Sequence, residues 1–110
     1  MSERVRRNID FLTVLTKCNK KQRKALLEHC DKELILTISE IAINVLKGIV
    51  KLSSSQKARL HRFKKQLRTL ADRQVSLKHK KRYIVQTGGS LLLALLPPVI
   101  SVLKELFFKK

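Results

Sequence analysis

Tryptophan is absent from the 110 residues, tyrosine occurs once and phenylalanine four times. With so few flat π faces, stacking on unpaired bases is a poor basis for recognition, and neutralisation of duplex phosphates is the better expectation. Acidic residues are scarce too: eight against 25 lysines and arginines, a formal net charge of +17. The eight acids are dispersed along the chain, and His61 and His79 sit among cations with no carboxylate to orient them. No general acid–base pair or activated nucleophile can be read from this pattern, and no enzyme is expected. The two cysteines, Cys18 and Cys30, lie twelve residues apart, and His29 beside Cys30 lacks a spaced partner. Free thiols in a reducing compartment are the reading, with no metal and no cofactor. The N-terminal MSERVRRNID is charged and polar, unlike a secretory signal. Three glycines and two adjacent prolines offer no phosphate-cradling loop.

What is present is an ordinary hydrophobic fraction, 44%, beneath a strongly basic surface. That fraction excludes a disordered polycation and allows one modest core. Self-repulsion at this charge opposes compactness unless a polyanion neutralises it. The charge is uneven. Residues 1–33 carry a net +4, residues 34–50 none, residues 51–82 a net +11 with Asp72 as their one acid, and residues 83–110 a net +2. The third quarter therefore locates the expected binding surface.

The hydrophobic spacing predicts an all-α fold. Val5, Ile9, Leu12 and Leu15 predict a helix over 4–16. Asn19 with Gln22 imitates a capping box and opens a short helix with Leu26, Leu27 and Cys30 on its apolar face. Asp31 caps a third helix reaching residue 47, with Gly48 as its stop. Its Leu34, Ile38, Ile41 and Val45 predict the centre of the core, packed with Leu12 and Phe63. Ser53 and Gln56 repeat the capping signature before one helix over 55–71 with a seam of Leu60, Phe63, Leu67 and Leu70. Ser76 starts a fifth helical segment. Leu91 to Leu103 form an uncharged apolar run of thirteen residues broken by Ser101. A bilayer span needs about 20, and Pro97-Pro98 predicts two short pieces, 91–96 and 99–108. The second piece is expected to carry Val99, Val102, Leu103, Leu106 and Phe107 on one side. The organisation expected is a small helical bundle over 1–71, a basic arm over 72–89 ending in Gly-Gly, and a separable hydrophobic tail over 90–110.

The candidate nucleic-acid contacts are Lys57, Arg59, Arg62, Lys64, Lys65, Arg68, Arg73, Lys78, Lys80, Lys81 and Arg82. Cations at helical spacing line up against phosphates without reading bases. The plain alternatives are a solvated helix face and an import signal such as KHKKR. The tail admits core, oligomerisation, docking or membrane roles, since short apolar helices beside lysines favour an anionic interface. No oligomeric state is legible.

The order of a basic run (Lys78, Lys80, Lys81, Arg82), then Gly88-Gly89, then Leu91 to Leu96 and Pro97-Pro98, resembles the core protein X (mu) precursor of adenoviruses. Resemblance is broader to the X-like late proteins of adintoviruses and Polinton-type elements. It extends there to QRKALLEHC, ILTISEIAINVLKG and FKKQLRTLADRQVSLKHKK. The resemblance implies a virion core protein that condenses double-stranded DNA, located in the virion core and host nucleus. It also implies a viral maturation protease as partner, cutting after Gly-Gly within Gln86, Thr87, Gly88, Gly89 and Ser90. Gln86 stands where the adenoviral protease prefers an aliphatic residue. Two other readings stay open. One is a membrane-active protein whose residues 90–110 engage anionic lipid; the other is an intracellular or nuclear RNA- or ribosome-associated module.

Overall fold

A helix with apolar residues on most of its faces must be covered on most of its faces, and α3 (Lys32–Leu46) is such a helix. The computed structural model describes residues 2–87 and 90–108. Within them α3 packs against α1 (Glu3–Lys17), α5 (Lys64–Ala71) and α6 (Leu77–Gln86). Further contacts join α2 (Lys20–Glu28) to α6, and α7 (Ser90–Phe108) to both α1 and α4 (Ser54–His61). The fold is all-α, and among the described residues there are seven helices and no strand.

Local chemistry sets most boundaries. The Asn19 side chain accepts from the Gln22 amide at 2.8 Å while Gln22 Oε1 accepts from the Asn19 amide at 3.0 Å, a complete capping box. Ser53 and Gln56 form a second one. Asp31 accepts from the Leu34 amide and Ser76 from the His79 amide. Such caps contribute about 1 kcal/mol each. α3 ends in a Schellman motif: the Ile49 amide donates to the Asn44 carbonyl and the Gly48 amide to the Val45 carbonyl. Gly48 has φ +75°, the left-handed conformation this motif requires.

Three expectations change. The helix expected over 55–71 is two helices, parted at Phe63 (φ −108°, ψ 19°), whose amide donates to the Leu60 carbonyl three residues back. The break has a tertiary cause. α4 packs against α7 and α5 against α3, so one straight rod could not serve both partners. The two pieces expected around Pro97-Pro98 are one continuous helix of 19 residues. Each proline removes an intrahelical hydrogen bond at a cost of about 3 kcal/mol or more. Leu91, Leu92, Leu95, Leu96, Val99, Ile100 and Leu103 are all buried on both sides of the prolines. Burial of each contributes roughly 1.5–3 kcal/mol, and together they outweigh the interruption. Leu106, expected on the packed side, is instead 67% exposed, and Val102 and Phe107 are half-buried.

The third correction concerns organisation. The segment expected as a separable tail lies in the same hydrophobic cluster as Val5, Ile9, Leu12 and Leu15 of α1. The segment expected as a basic arm holds α6, which packs on α2 and α3 rather than standing off. The radius of gyration, 13.0 Å, is that of a single folded body of this length, about 13 Å, not of a bundle with a projecting tail. By length and composition α7 could cross a membrane, yet half of Ser90–Phe107 is buried inside the fold. Ile38, Ile41 and Leu12 are fully buried as expected, with Val45 and Phe63 at the edge of the same cluster.

Candidate nucleic-acid interface

Helix α5 shows how the basic surface is built. Leu67 and Leu70 face inward, which turns Lys64, Lys65 and Arg68, at i, i+1 and i+4, to solvent. On α4, burial of Leu60 leaves Lys57 and Arg59 exposed, with Arg62 exposed at its C-cap. On α6, burial of Ile84 leaves Lys78 and Arg82 exposed one turn apart. Arg73, in the connection between α5 and α6, is exposed as well. Nine of the eleven expected contacts therefore reach solvent. None of the nine has an ion-pair partner among the described residues.

The acids that form ion pairs lie elsewhere. The three ion pairs among the described residues join Arg4 to Glu40, Arg6 to Glu3, and Arg7 to Glu33 at 2.6 Å. All lie on α1 and α3. The hydrogen bond that Arg7 donates to Glu33, together with the Glu33 charge, raises the Arg7 pKa above its ordinary value.

Seven of the eleven expected cations border three concavities. Lys57 and Lys64 border a groove of about 510 Å³ that Lys51, His61, Leu46, Leu60 and Leu67 also line. Lys78, Lys81 and Arg82 border a shallow groove on α6, facing Glu28 of α2. Arg73 and Lys80 line a cleft of about 530 Å³ between α3, the α5–α6 connection and Arg4.

Two of the eleven are not surface cations. Lys81 is half-buried, and its Nζ donates to the Cys30 carbonyl at 2.8 Å, tying α6 to the end of α2. Burial pushes the Cys30 thiol above its ordinary pKa, and the Lys81 charge opposes that shift. Lys80 is buried, with 4% exposure, and cannot meet a duplex backbone from the outer face. Its burial moves its pKa downward, opposed by the charge of Asp72. The spacing contained the sign: Leu77, Lys80 and Ile84 occupy one helical face, so Lys80 holds a seam position. Arg23 was overlooked in the same way, four residues before buried Leu27. Its Nε donates to the Leu15 carbonyl and its Nη2 to the Cys18 carbonyl, closing the end of α1.

Gln86, Thr87 and Ser90 are described, at the end of α6 and the start of α7. Gly88 and Gly89, the centre of the expected cleavage site, lie outside the described residues. Cys18 and Cys30 are free thiols, and no group of three or more His, Cys, Asp or Glu suited to a metal occurs among the described residues. No protein-family model, curated protein or solved structure matches the chain.

Proposed function

We propose that this protein binds double-stranded DNA without sequence preference and condenses it, through the exposed cations of α4, α5, the α5–α6 connection and α6. The observation that carries this reading is the set of nine solvent-facing lysines and arginines with no acidic partner among the described residues. Solubility does not call for twelve cations against one acid over residues 51–82, whereas phosphate neutralisation with counterion release does. The paucity of aromatic residues favours backbone contacts over base stacking. The resemblance to X-like core proteins supports placing this activity in genome packaging within a particle, with maturation by cleavage after Gly89.

The test is a salt series. With six to ten phosphate contacts, affinity for duplex DNA falls by roughly 10³–10⁵-fold between about 50 and 200 mM salt. Scrambling the DNA sequence leaves the isotherm unchanged. Parallel titrations with structured RNA and anionic liposomes compare the other polyanions. A salt-insensitive or sequence-selective isotherm, or tighter binding to RNA or liposomes than to duplex DNA, overturns the reading.

A further inference from the structure

The cleft behind α6 differs from the outer basic face. Its walls include Leu36, Ile43 and Leu77, and three cations, Arg4, Arg73 and Lys80, line it. Its one lining acid, Glu40, is already engaged: it accepts from the Ser2 amide and hydroxyl at 2.9 and 2.7 Å and meets Arg4 at 3.9 Å. α6 begins at the cleft, with Ser76 as N-cap, so the positive end of a ten-residue helix faces the same space.

Lys80 is the decisive residue. It is 96% buried, yet its side chain has no hydrogen bond and no ion pair among the described residues. No fully enclosed side-chain nitrogen or oxygen lacks a partner among those residues, so the Lys80 ammonium keeps some exposure, and the residue lines the cleft. The Lys80 side chain is sunk into the fold with its ammonium short of hydration and within reach of the Asp72 charge alone, and an anion in the cleft would give it a direct partner. Arg23, equally buried, spends its charge on two carbonyls; Lys80 does not.

We propose that this cleft is a binding site for a compact phosphate group, held by the Lys80 ammonium with Arg73, Arg4 and the first turn of α6. The group is either free or carried on the end of a nucleic-acid strand. Arg73 is common to this cleft and the outer face, but Lys80 is buried behind that face, so the site is tested through Lys80 and stands whether or not the outer face binds DNA.

Pyrophosphate is the probe, followed by thermal unfolding and calorimetry at about 0.15 M salt, where diffuse attraction to exposed charges is screened. Wild-type protein should show saturable one-to-one binding and a rising Tm. Lys80→Met should raise Tm without pyrophosphate and lose at least tenfold in affinity, while Lys65→Gln on the outer face leaves both unchanged. Duplex oligonucleotides with and without 5′-phosphates identify the source: a preference for the phosphorylated end that Lys80→Met abolishes points to strand ends, and its absence to a free anion. Equal pyrophosphate affinity in wild type and Lys80→Met, or equal losses from Lys80→Met and Lys65→Gln, overturns the proposal.

Discussion

Arg23 and Lys80 have the same exposure, 4%, and opposite energetics. The Arg23 guanidinium satisfies carbonyls that the end of α1 leaves open, so Arg23→Met should cost about 1.5–3 kcal/mol, the worth of hydrogen bonds from a charged donor. A lowered urea midpoint with unchanged slope would record it. Lys80 carries a pH signature instead. Its folded pKa lies below 10.5, so the unfolded chain holds this proton more tightly. The penalty is full below the depressed value and disappears as pH rises past 10.5. In phosphate-free buffer the stability advantage of Lys80→Met over wild type should therefore shrink as the solution is made alkaline. Gly48 is a purely conformational case: at φ +75° with no atom within 4 Å of an added Cβ, Gly48→Ala should cost about 1–2 kcal/mol through the backbone alone. The cationic character of the surface was plain from composition. Which lysine would turn inward was legible only through the Leu77–Lys80–Ile84 spacing, because a cation in a basic run looks like its neighbours.

Among the elements, α3 is the one whose loss should be felt throughout, since α1, α5 and α6 all rest on it. Ile41→Ala, at a position with no exposure, should cost about 2–5 kcal/mol. Lys65→Glu, on the exposed side of α5, should leave the helical circular dichroism signal intact. Reversed sensitivities would mean that the inward and outward faces have been exchanged. Helix starts were readable because Asn19, Asp31, Ser53 and Ser76 act within one turn of themselves. The Phe63 break was not, because Leu60, Phe63, Leu67 and Leu70 keep helical spacing straight through it. Only the divergent partners of α4 and α5 part them. The continuity of α7 was hidden for a related reason. Pro97-Pro98 is a strong local signal to stop, and it is overruled by packing against a helix at the other end of the sequence.

For the whole molecule, the placement of α7 changes what a cut after Gly89 can do. Hydrolysis there should leave residues 90–108 seated on α1 and α4, a nicked pair that travels together on size exclusion and separates only in denaturant. Early release of the C-terminal piece under native conditions would contradict that packing. The pairing also bears on how the chain comes into being. On the ribosome α1 emerges before α7 exists, and its Val5–Ile9–Leu12–Leu15 face has only α3 to cover it until α7 has been translated. A nascent polycation with a part-covered apolar stripe invites both chaperones and stray nucleic acid. Closure of the fold thereby waits on synthesis of α7, and a chain cut short before residue 90 would be basic enough to bind but unable to close.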